Sequence, residues 1–193
     1  MKKWGWIICL VLAACTNGQG ASPPPAGTAS PGIGGTVEAS VTRTIDGDTI
    51  EVAIGSRKET VRMILVDTPE IRKAGLQEPQ PFGPEAAAFT RKLLTGKEVR
   101  LERDISVKDA YGRSLYYVWL DGKLVNRLLL EEGLARVAVF PPDVKYVEDF
   151  RSAAAEAQAG GKGIWSVENY VTDRGFREPS APPASPKPSG SRR

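Results

Sequence analysis

The chain has 193 residues, enough for one ordinary domain with tails, and 41% of them are hydrophobic, enough for a real core. It contains no histidine, which excludes the commonest general base, every serine–histidine–aspartate triad and most zinc sites. Its 26 basic and 23 acidic residues nearly balance, so net charge argues for no partner and only local placement of charge can.

Lys2 and Lys3 form a basic start, followed by an apolar stretch over residues 4–14. That stretch is well below the roughly 20 residues a helix needs to span a bilayer, and it reads as an export signal. Leu12-Ala13-Ala14-Cys15 resembles the lipobox of bacterial lipoproteins. The resemblance implies that residues 1–14 are removed and that Cys15 carries lipid. The protein would then be a membrane-anchored lipoprotein facing the periplasm or cell exterior, with or without later release. On the residues alone, a Cys9–Cys15 disulfide or a plain secretory cleavage stays open. Residues 15–35 continue as a tether of mostly Gly, Ala, Ser, Pro and Thr, unable to bury enough apolar area to offset its ordering entropy. A flexible chain of that size has an end-to-end distance of roughly 25 Å. Residues 178–193 have a similar composition and are expected to be a disordered tail.

The folded domain is expected over residues 36–177. Residues 37–45 alternate loosely and are rich in β-branched side chains, which predicts a strand. Asp46-Gly47 signals a hairpin, 49–54 the returning strand and Gly55-Ser56 a second turn. Residues 60–66 give a third strand that stops before Pro69. Pro84 opens a helix through Leu94, closed by Gly96. Two strands are expected at 98–103 and 115–120, a short helix at 124–132, an extended piece at 134–139 and an Ala-rich helix at 144–159. Five strands in a meander with helices interposed predict an α+β fold: a five-stranded barrel of the oligonucleotide-binding type with about three helices beside it.

Three short segments carry chemistry. In Asp46-Gly47-Asp48-Thr49, Asp46 reads as the hairpin's turn former. Asp48 lies where a strand disfavours it, and its repulsion with Asp46 would be relieved by a metal. Arg62 interrupts an apolar strand, and a buried guanidinium needs an anion: either an internal acid such as Glu70 or a phosphate. Asp67-Thr68-Pro69-Glu70 is either a strand cap or half of a site. Strict alternation places Arg62 and Asp67 on opposite faces, so the chain must bend between them if both serve one site. Arg113, after Tyr111-Gly112, either clamps a phosphate or makes a surface ion pair, and Tyr111 either stacks on a base or packs on the barrel.

Together VTRTIDGDTIEV, VRMILVDTPE, FGPEAAAFT, DAYGRSLYYVW, GKLVNRLLLEEGLARV and GIWS resemble the staphylococcal nuclease, or thermonuclease, family. The resemblance implies calcium held by Asp48, Asp67 and the backbone carbonyl of Thr68. It also implies Glu70 as general base and Arg62 and Arg113 as phosphate-binding catalytic residues, with Tyr111 at the substrate. The implied activity is calcium-dependent endo- and exonuclease action on DNA and RNA, giving 3′-phosphate products, by a monomer. Two departures stand out: Ala110 replaces a lysine of the nucleotide pocket, and Val139, Phe140 and Pro141 lie where the family has tyrosines. The competing expectation is a lipoprotein barrel that binds nucleic acid or protein without cutting; the presence of Asp48, Asp67 and Glu70 together favours catalysis.

Overall fold

Strand β1 (Thr36–Asp46) is the longest strand in the computed structural model, which describes residues 34–72 and 78–177, and it serves two neighbours. Its first half pairs antiparallel with β5 (Glu98–Glu102), from Thr36↔Glu102 to Ser40↔Glu98. Its second half pairs with β2 (Thr49–Ile54), with irregularities between Val41 and Arg43 and between Thr44 and Asp46. Such bulges bend a strand and increase its twist, which lets one strand belong to two walls of a barrel.

A turn at Gly55-Ser56 joins β2 to β3 (Arg57–Met63). Closure comes from β6 (Ser114–Leu120), which lies antiparallel to β5 and parallel to β3 through Val61↔Ser114, Arg62↔Leu115 and Met63↔Tyr116. The five strands thus form a closed barrel in the order β3-β2-β1-β5-β6. They are not a simple meander. After β3 the chain crosses the barrel through helix α1 (Gly83–Leu94) before β5 docks beside β1. The interior is apolar and closed: Ile50, Val52, Val61, Leu101, Tyr116 and Val118 have no exposed surface.

Helix α1 starts with Pro84 in its first turn and buries Ala86, Ala87, Thr90 and Leu94. A short ribbon strand, β7 (Lys123–Leu124), follows the turn Asp121-Gly122, where both residues have positive φ as a tight hairpin turn demands. Helix α2 (Val125–Glu131) comes directly after it. Helix α3 (Val147–Ala159) buries Phe150, Ala153, Ala154 and Ala157, a single helical stripe. It begins three residues later than the pattern predicts. Val144 and Lys145 are instead held in the preceding loop, where the Lys145 amide donates to Asp104.

The third strand ends at Met63 rather than Val66. Leu65 adopts φ +64°, and the chain turns before β4 (Val66–Asp67) pairs with β8 (Arg136–Val137). Three hydrogen bonds hold this bend. The Ile64 amide donates to Tyr116 O, the Ala138 amide to Leu65 O, and the buried Asn126 side chain to Ile64 O. A hairpin absent from the sequence expectations, β9 (Val171–Thr172) with β10 (Gly175–Phe176), ends the described chain. The expected signal peptide, Cys15, nearly all of the tether and the tail lie outside the described residues.

Candidate active site at the β1–β2 turn

The bend after β3 decides where the charges meet. It brings Arg62 and Asp67 onto the same side despite their odd spacing: Arg62 Nη2 lies 3.2 Å from Asp67 Oδ1. The same nitrogen lies 3.1 Å from Asp48 Oδ2. Arg62 Nη1 donates to the carbonyls of Met63 and Val66 at 2.9 and 2.6 Å. The side chain is largely buried, so the bend supplies carbonyls and acids in place of lost water. The internal partner of Arg62 is therefore not Glu70. It is the pair Asp48 and Asp67, and Arg62 sits between these acids rather than across from them.

Asp48 occupies the β1–β2 turn. Its Oδ2 accepts from the Thr68 amide at 2.9 Å and its Oδ1 from the Thr49 hydroxyl at 2.9 Å. Gly47 beside it does not have the positive φ of a glycine-led hairpin. Its lack of a side chain matters for packing: a Cβ there would lie 2.7 Å from Thr68 Oγ1 and 2.8 Å from Ala86 Cβ. Thr90 on α1 donates to Gly47 O at 2.6 Å. Glycine thus lets the turn press against both the Asp67-Thr68 segment and α1, which gathers the acids.

Glu70 is clasped by Gln80: its amide donates to Gln80 Oε1 and its carbonyl accepts from the Gln80 amide, both at 2.9 Å. Gly83 permits this loop, since a Cβ there would lie 2.8 Å from Glu70 O. Burial pushes the Glu70 carboxyl up to about 8, helped by a hydrogen bond and charge from Asp46 and by the charges of Asp48 and Asp67. Burial also raises Asp46, which accepts from the Gly47 amide at 2.8 Å. Asp46 is thus more than a turn former, because its carboxyl is hydrogen-bonded to Glu70. Two close carboxylates in a partly dry site hold one proton more readily than none. Asp67 is likewise raised by burial, with Arg136 and Arg62 pulling the other way.

Arg113 forms the ion pair that was its ordinary alternative: Nε binds Asp109 Oδ2 at 2.6 Å. Burial raises Asp109, but the Arg113 hydrogen bonds outweigh it and hold the acid below its usual range. The ring of Tyr111 is 85% exposed and lies 5.3 Å from the Arg113 guanidinium carbon. Arg62, Asp67, Tyr111 and Arg113 line one cavity of about 360 Å³, together with Ala110, Phe140 and Pro141. Phe140, 71% exposed, keeps an aromatic ring at this rim.

Sequence reasoning missed Arg136 and Gln80. Arg136 contacts Asp67 Oδ2 through both Nε and Nη2 at 2.8 Å. The signal for it was present: like Arg62, it interrupts an extended apolar segment and needs an anion. A single loop glutamine such as Gln80 has no such signal.

Among the described residues no three His, Cys, Asp or Glu side chains form a metal cluster. Two carboxylates, Asp48 and Asp67, do meet, and beside them is Thr68, whose Oγ1 is buried with no hydrogen-bond partner. These donors are all oxygen, which suits a hard cation and not zinc or copper.

A closed barrel of the oligonucleotide-binding type, with acids and arginines gathered where its β1–β2 turn meets the bend after β3, is the architecture of a nuclease. Residues 60–167 match the family described as "Staphylococcal nuclease homologue". Over 142 residues the chain is 46% identical to "Endonuclease YncB" of Bacillus subtilis (strain 168), a match covering 72% of this chain and 67% of that protein. It is 44% identical over 142 residues to "SPbeta prophage-derived endonuclease YokF" of the same strain, covering 72% of this chain and only 48% of that protein. It is 48% identical over 126 residues to "Thermonuclease" of Staphylococcus hyicus, covering 65% of this chain and 74% of that one. The chain belongs to the staphylococcal nuclease family.

Proposed function

We propose that this protein is an exported, calcium-dependent nuclease. It hydrolyses phosphodiester bonds of DNA and RNA, prefers single or frayed strands and leaves 3′-phosphate ends. One observation carries the reading: Asp48 and Asp67 meet at Arg62 within 3.2 Å, beside a Glu70 raised to about 8.

Asp48, Asp67 and the backbone carbonyl of Thr68 would hold the cation. When bound, it supplies positive charge against a phosphate oxygen. Glu70 takes a proton from the attacking water as general base. The water oxygen bonds to phosphorus, the P–O5′ bond breaks, and the phosphate stays on the 3′ side. Arg62 donates to the crowded phosphate. The Arg113 side chain uses only Nε on Asp109, and its terminal nitrogens make no hydrogen bond or ion pair among the described residues, so they steady charge on the departing oxygen. Tyr111 packs against the nucleotide. Lipid on Cys15 holds this monomeric enzyme at the membrane surface.

The test is incubation of the full chain with denatured DNA, first with calcium and then with a chelator. Cleavage in calcium alone, with ends that need phosphatase before they can be extended, supports the proposal. Binding without cleavage, or cleavage unaffected by chelator, contradicts it.

A further inference from the structure

Residues 170–177 touch the supports of two separate acids. Tyr170 is 3% exposed, and its hydroxyl donates to Pro81 O at 2.7 Å. Pro81 follows Gln80, whose side chain and amide clasp Glu70. On the other side of the hairpin, Asp173 O accepts from Arg136 Nη1 at 3.3 Å, while the remaining nitrogens of Arg136 hold Asp67. The hairpin braces itself: Arg177 N donates to Tyr170 O at 2.8 Å, and the rings of Tyr170 and Phe176 lie 5.2 Å apart. One small element thus fixes the outer side of both the Arg136–Asp67 pair and the Pro81–Gln80 loop.

We propose that this C-terminal hairpin is a positioning element of the active site, acting through Arg136 on Asp67 and through the Pro81–Gln80 loop on Glu70. The inference rests on the nuclease reading above. Arg136 occupies one oxygen of Asp67 and leaves Oδ1 to Arg62, whose same nitrogen holds Asp48. Groups that orient ligating carboxylates matter nearly as much as the ligands, and their loss typically costs about 10- to 100-fold in metal affinity or activity.

The experiment compares five forms of the full chain: the parent, a chain ending at Arg177, a chain ending at Asn169, Arg136→Met, and Arg136→Met in the chain ending at Asn169. Each is measured for kcat and KM on denatured DNA, for calcium affinity by calorimetry, and for thermal melting. The chain ending at Arg177 should match the parent. The chain ending at Asn169 should melt cooperatively, lose at least about 10-fold in kcat and in calcium affinity, and keep KM within about twofold. Arg136→Met should lose in the same two quantities. The truncation should add less in that background than alone, because the two changes share a path. Parental kcat and calcium affinity in the chain ending at Asn169 overturn the proposal, as do losses that multiply fully. If that chain does not fold, Tyr170→Phe decides: a fall in kcat with calcium affinity down and KM held supports the hairpin's role, and parental values overturn it. If the parent cuts nothing, the nuclease reading fails, yet the calcium affinities still judge the hairpin.

Discussion

Arg62 binds the two carboxylates that are the best candidates for holding a cation, at 3.1 and 3.2 Å. A guanidinium and a divalent cation on the same oxygens compete. Arg62→Lys should therefore cost at least ~10²-fold in cleavage rate, since lysine lacks the planar fork that fits a phosphate. Its calcium affinity should not fall, because the competitor is weakened rather than a ligand removed. Calorimetry beside a rate assay on denatured DNA checks both halves.

The Glu70 carboxyl is raised from an ordinary 4.5 to about 8 in the cation-free fold. Across that window the folded chain keeps a proton that the unfolded chain releases. Stability of the cation-free protein should thus fall as pH rises from 4.5 towards about 8. Glu70→Gln should flatten this dependence in urea midpoints measured with chelator present. In the active enzyme the base form of Glu70 is required, so the rate should climb with pH on the acid side. Asp46→Asn, which removes a neighbouring negative charge and its hydrogen bond, should shift that limb to lower pH.

At the scale of elements, the β1–β2 turn and the bend after β3 make the site. Gly47→Ala inserts a methyl group within 2.8 Å of Thr68 and Ala86. Overpacking of this kind costs about 1–3 kcal/mol, so chemical denaturation should show that loss, with Asp48 displaced and activity reduced. These elements were unequally legible in the sequence. The Asp46-Gly47 turn, Pro84 and the Ala-rich stripe of α3 announce themselves, because turn chemistry and helical spacing are local properties. The break at Leu65 does not, since its positive φ is imposed by Asn126 and Tyr116 from distant elements. The acids and Arg62 were readable because charge in a strand is costly and needs a reason. The competition between Arg62 and a cation was not, because it depends on which atoms the bend brings together.

At the scale of the molecule, barrel closure through the parallel β3–β6 pair puts Arg62 and Leu115 side by side, so Arg62 and Arg113 share one cavity. That cavity opens beside the exposed rings of Tyr111 and Phe140, which can stack only on bases that have left a duplex. Denatured DNA should be cut faster than intact duplex, and added salt should slow cutting at subsaturating substrate by weakening phosphate contacts. Faster cleavage of intact duplex would contradict this account of access.

The acids of the β1–β2 turn and of the segment after the bend are proposed to act as one reaction centre. A double-mutant cycle on cleavage of denatured DNA, with Asp48→Asn from the turn, Glu70→Gln from the later segment and the combined variant, tests this. Groups that work as a unit are strongly non-additive. Each single change should be severe, and the double should be scarcely worse than the poorer single. Losses that multiply in full, or a single variant with parental activity, would show that the carboxylates do not serve one reaction.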